Sequence, residues 1–120
     1  EHAERARTLS ARQLTALQSR VLGNLDRALA AYVAAADALD AAQALWHALN
    51  AHLARVERQF AAGEIGRVAV LQSELALLAA GRTVLAERVN ALRALGAVED
   101  AVQSPLGGGP ALPAATETVS

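Results

Sequence analysis

Apolar residues recur at alternating steps of three and four along the first half of the chain. The series runs Leu14, Leu17, Val21, Leu25, Leu29, Tyr32, Ala36, Leu39, then Trp46, Leu49, Leu53, Val56 and Phe60. Such spacing is a heptad seam, the signature of a helix packed along one side by another helix. Between Glu4 and Phe60 there is no proline and a single glycine, Gly23. The pattern therefore predicts one helix over about residues 4–60. Gly23-Asn24 is its weakest point, because a helical glycine costs about 1 kcal/mol against alanine. A break there would give three shorter helices in place of two.

The seam stops at Ala61-Ala62-Gly63-Glu64-Ile65-Gly66. Gly63 suits the left-handed residue that closes a helix C-terminus, and Gly66 suits an N-cap less well than Ser or Asp. The spacing then restarts with Val68, Leu71, Leu75, Leu78, Leu85, Val89 and Leu92, spoiled only by Arg82. A second helix over about residues 67–103 follows, with an interruption expected at Gly96 and a short amphipathic piece after it. So short a connection makes the two helices antiparallel neighbours. The predicted fold is all-α: a long antiparallel coiled-coil hairpin over residues 1–103. The Pro/Gly-rich segment 104–120 cannot build a core and is expected to be a disordered tail.

A second stripe runs along the second helix, offset from the first: Val70, Leu77, Val84, Ala91 and Val98, one every seven residues. An isolated two-helix hairpin needs one apolar face on each helix, so two stripes imply neighbours on two sides. The hairpin is expected to leave apolar surface uncovered and to pack into a larger bundle or an oligomer.

Composition sharpens this picture. The 120 residues are 53% hydrophobic but only 2% aromatic, which suits thin helices in close contact through alanine rather than a thick core. A net charge of −1 supplies no field for nucleic acid or an anionic membrane surface. The lack of cysteine excludes disulfide and thiolate chemistry. The lack of methionine predicts a processed or excised piece, with any targeting signal outside it. No uninterrupted apolar run is long enough to span a bilayer as a helix.

Candidate chemistry is sparse. His47 and His52 are five residues apart, which on a helix turns them roughly 140° from each other, a poor arrangement for sharing a metal. Asp37 and Asp40 read as a solvated face rather than an acid–base pair. Gly63 and Gly66 lack the strand before and the Lys-Ser/Thr after that a phosphate loop needs. No catalytic, cofactor-binding or metal-binding residue is assigned, and the chain is not expected to be an enzyme. What remains is the tip, where Phe60 and Ile65 flank Ala62, Gly63 and Glu64, far from the rest of the molecule. The tip is either a plain connection or a docking point.

The run Arg58-Gln59-Phe60-Ala61-Ala62-Gly63-Glu64-Ile65-Gly66-Arg67-Val68-Ala69-Val70-Leu71-Gln72 resembles a recurrent segment of the outer membrane efflux protein family (TolC-like). There an aromatic residue, two residues and a glycine make the turn before a helix with an apolar start. About thirty residues on, Ala94-Leu95-Gly96-Ala97-Val98-Glu99-Asp100-Ala101 resembles the segment that ends the family's second repeat. The resemblance spans roughly residues 4–106. It departs from the family at Gly66, where Ser or Thr is common, and at Ala69, where Asp is common.

The resemblance implies a periplasmic tunnel hairpin of a homotrimeric outer membrane efflux channel, conducting exported cargo passively. The tip, residues Phe60, Ala62, Gly63, Glu64 and Ile65, would dock a periplasmic adaptor protein that couples the channel to an inner membrane pump. Gln72 and Glu74 would be the candidate channel-entrance residues. A periplasmic adaptor hairpin, and a structural coiled coil or helical-bundle scaffold, are the alternative readings of the same helices.

Overall fold

A computed structural model describes residues 1–103. It is a hairpin of two helices, α1 (His2–Ala61) and α2 (Arg67–Gln103), joined by a short turn. The molecule is 92 Å long with a radius of gyration of 26.3 Å. A compact domain of this size would have a radius near 13 Å, so the fold is a rod with a seam, not a globule with a core.

Both expected weak points stay helical. α1 passes through Gly23 without a break, and the Arg27 side chain spans the site. Its Nε donates to the Gly23 carbonyl oxygen at 3.3 Å and its Nη2 to Asn24 Oδ1 at 3.1 Å. That guanidinium covers the backbone that glycine leaves bare. α2 likewise runs through Gly96 to Gln103, against the interruption expected there. A long helix with favourable neighbours on both sides absorbs the cost of one glycine.

The helices meet through small residues. The buried positions are Ala35, Ala42 and Val56 on α1, with Ser73 and Ala80 on α2. Around them Val21, Leu25, Ala28, Tyr32, Leu39, Trp46, Leu49 and Leu53 are half-buried, a continuous heptad seam on α1. Of the α1 series, Leu14, Leu17, Leu29 and Phe60 lie outside this contact and are exposed. The three alanines Ala28, Ala35 and Ala42, which large-residue spacing overlooks, sit inside it.

On α2 the contact uses the other stripe. Val70, Leu77, Val84, Ala91 and Val98 are half-buried and alternate with Ser73, Ala80, Glu87, Ala94 and Ala101. The leucine-rich series is turned outward: Val68, Leu71, Leu75, Leu78, Leu85, Val89 and Leu92 are 47 to 67% exposed. The small residues Ser73 and Ala80 on α2, and Ala35 and Ala42 on α1, leave room along the seam for larger side chains of the facing helix, as Gly81 does for Trp46.

Gly81 shows how tight the contact is. A Cβ built there would lie 3.6 Å from Trp46 Nε1 and 3.8 Å from its Cδ1, ordinary contact distances. At the far end α2 finishes level with Val21 and Asn24, which share a surface depression with Asp100 and Ala101. Residues 2–20 of α1 extend roughly 28 Å further at the helical rise, exposed and with no neighbour among the described residues.

Two substitutions test this seam in opposite directions. Ala42→Leu should lower stability by about 1–3 kcal/mol, because the added side chain overfills a close contact. Gly81→Ala should raise it by about 0.5–1 kcal/mol through helix propensity, since its methyl meets the Trp46 ring without collision. Thermal unfolding followed by circular dichroism measures both.

Candidate docking tip and outer helix face

The tip is built by backbone hydrogen bonds. Gly63 has φ +78°, the left-handed conformation expected of it. The Gly63 N–H donates to the Phe60 carbonyl at 3.0 Å, and the Glu64 N–H to the Gln59 carbonyl at 2.9 Å. These two bonds form a Schellman motif, which satisfies carbonyls that the end of α1 would otherwise leave unpaired. Nothing lies within 4 Å of a Cβ added at Gly63, so its constraint is conformational rather than steric. α2 starts at Arg67, directly after Gly66, without any side chain at position 66 to cap it.

The candidate tip residues separate into two groups. Phe60, Ala62, Gly63 and Glu64 are exposed, with Phe60 43% exposed. Ile65 is half-buried and folds back against the seam. It lines an open depression together with Leu49, His52, Val56, Gln59 and Gln72, among others. The tip therefore presents an aromatic ring, a carboxylate and bare backbone to solvent, while Ile65 anchors the turn.

Gln72 and Glu74 do not share a surface. Two residues on a helix are roughly 200° apart: Gln72 turns toward the depression under Ile65, and Glu74 flanks the exposed leucine stripe. The two histidines diverge as well. His52 lies in the tip-side depression, while His47 stacks edge-on against Trp46, ring centroids 5.1 Å apart. Among the described residues no three His, Asp or Glu side chains come together as a ligand set.

The feature that large-residue spacing misassigned is the outer face of α2. Val68 to Leu92, with Arg82 in its middle, forms a second heptad seam that no helix among the described residues covers. The offset of the second stripe was the signal that two faces exist; which one closes the hairpin depends on the small residues between the large ones. Each long helix also contains a stretch apolar enough, by length and composition, to cross a membrane. That differs from the sequence expectation of no run long enough to span a bilayer, because a few charged residues interrupt each stretch without lowering its mean hydropathy below the criterion. An alanine- and leucine-rich coiled-coil helix meets the same criterion.

Comparison of the chain with protein-family models, with curated proteins and with solved structures finds no match.

The tip geometry carries its own test. Gly63→Ala forces a Cβ into the left-handed region and should cost about 1 kcal/mol. Gly66→Ser should instead be neutral or stabilising by a few tenths of a kcal/mol up to about 1, because it supplies the missing cap oxygen. Urea unfolding midpoints of the two variants should move in opposite directions, or Gly66→Ser should leave its midpoint unmoved.

Proposed function

We propose that the hairpin is a wall element of a helical tunnel, the periplasmic part of an outer membrane efflux channel, and that its tip docks a periplasmic adaptor. The observation that carries this reading is the double-sided α2. One apolar stripe is filled by α1, and the opposite one, from Val68 to Leu92, stands open. A helix in a tunnel wall needs a neighbour on each side, and a free-standing hairpin needs one.

Three further features support it. The rod is 92 Å long, which places the tip far from the other end. The tip exposes Phe60, Ala62, Gly63 and Glu64, with Ile65 packed beneath them as their support. The segments Arg58 to Gln72 and Ala94 to Ala101 resemble the turn and the closing segment of the efflux family at about the family's separation. In this function the chain does no chemistry. Cargo passes through the assembled tunnel, an inner membrane pump supplies the energy, and the adaptor joins pump to tunnel at the tip. Gln72 and Glu74, on different sides of α2, do not make a joint entrance ring, so an entrance role falls to one of them at most.

Crosslinking in cells tests the docking. With no native cysteine, Glu64→Cys and Asp37→Cys each introduce a single reactive site. Glu64→Cys is expected to capture a periplasmic adaptor, and Asp37→Cys is not. Capture of a cytosolic partner at position 64, or of nothing but the protein itself at both positions, would replace this reading with a structural scaffold.

A further inference from the structure

We infer that two copies of the hairpin pair face to face in opposite directions, through the side that carries the Trp46 groove and the apolar surface beyond it. This goes beyond the tunnel reading and does not rest on it. Hairpins pointing opposite ways cannot share a tunnel wall, so the pair is a state of the chain outside such an assembly.

The groove defines the face. Gln43, Trp46, His47, Gly81, Leu85 and Arg88 line an open depression between the helices. In a coiled coil, steps of seven residues stay on one side. Stepping away from the tip, the Gln43 position on α1 becomes Ala36, Leu29 and Leu22, and the His47 position becomes Asp40, Val33 and Asp26. On α2 the Leu85 position becomes Leu92 and Glu99, and the Arg88 position becomes Leu95 and Val102. Beyond the groove this side is therefore an apolar surface across both helices: Leu22, Leu29, Val33, Leu92, Leu95 and Val102 are 39 to 63% exposed. Arg88 stands at its tip-side edge and Glu99 within it, both exposed.

The α2 half of this surface is self-complementary. Its positions run Leu85, Arg88, Leu92, Leu95, Glu99 and Val102, at steps of three and four. Set it against a second copy running the other way, about a point between Arg93 and Ala94. Leu92 then meets the partner's Leu95, Leu85 the partner's Val102, and Arg88 the partner's Glu99. A two-fold axis makes each contact twice, so two Arg–Glu pairs flank an apolar centre.

α1 fits the same axis. Within the hairpin, residues at one level have numbers that add to about 125–127, as Trp46 with Gly81 and Asn24 with Ala101 show. The axis therefore crosses α1 near Tyr32, between Leu29 and Val33, and Leu29 meets the partner's Val33. Residues 2–20, which have no neighbour among the described residues, come to lie along the tip half of the partner's α1. Arg5 there reaches the level of the partner's Glu57.

The area is sufficient. With Leu85, 61% exposed, seven apolar side chains offer roughly 700 Å² per copy and roughly 1,400 Å² for the pair, within the range of specific interfaces. The rival is to stack the same faces in one direction, about an axis along the rod. That sets Asp26 beside the partner's Glu99, like charges, twice. Charge thus selects the opposed pair.

Sedimentation velocity and disulfide formation test the pairing. The wild type should dimerise in a concentration-dependent way. Arg88→Glu and Glu99→Arg should each weaken the dimer about tenfold or more, and the double exchange should regain most of the loss. Circular dichroism should show all of them equally helical. The chain has no native cysteine, so an Arg88→Cys chain mixed with a Glu99→Cys chain should form the mixed disulfide in preference to either symmetric one. Like positions stand roughly 16 Å apart along the opposed pair. Tighter association of Glu99→Arg would overturn the proposal in favour of same-direction stacking. A dimer indifferent to both charge reversals would overturn it in favour of the seam from Val68 to Leu92. A wild type monomeric across the whole range would overturn it outright. None of these results bears on the tip, which the Glu64 crosslink tests separately.

Discussion

The close approach of α1 and α2 through alanine and serine is the constraint on which the other features depend. Ala35, Ala42, Val56, Ser73 and Ala80 are the buried residues, and none has a large side chain. Their smallness lets two backbones run near each other over most of the length of α2, so many weak contacts add along the rod. It also limits what the hairpin can bury. Its fully buried positions cover little apolar area, and the leucine-rich series of α2 from Val68 to Leu92 is left on the other side. Stability within the chain and the open outer face of α2 thus have a common origin.

The turn passes this constraint on. Gly63 in the left-handed region and the two bonds from Gly63 and Glu64 to the last turn of α1 reverse the chain in a handful of residues. A connection that short fixes which face of α2 meets α1. It also leaves Phe60 and Glu64 exposed at the end of the rod. The far end is built differently: residues 2–20 of α1 extend beyond the contact with α2 and are exposed, with no neighbour among the described residues, and a helix of that length without a neighbour is marginal in water.

Much of this was legible in the sequence. Both helices, their bounds to within about two residues, the turn and the left-handed glycine follow from heptad spacing and glycine placement. Two features were not. Continuity at Gly96 is the first, because the low helix propensity of glycine marks a break there that the rest of α2 absorbs. The identity of the closing stripe on α2 depends on Ser73 and Ala80, which a search for large apolar residues passes over. The candidate site divides in the same way. The tip is local and readable from the Gly63 turn, whereas the outer seam is defined by what the first seam leaves uncovered. Gln72 and Glu74, paired by proximity in sequence, part company because a helix turns them to different sides.

The central claim is that α2 is covered on both faces when the protein works. The direct measurement is thiol protection in intact cells, with one cysteine in place of Leu78 in the outer seam and, separately, one in place of the exposed Glu57. The account predicts that a small maleimide labels position 57 quickly and position 78 slowly, although Leu78 is 67% exposed in the single chain. Equal, rapid labelling at both positions would contradict it, and would mean that the hairpin works with its leucine seam open to water.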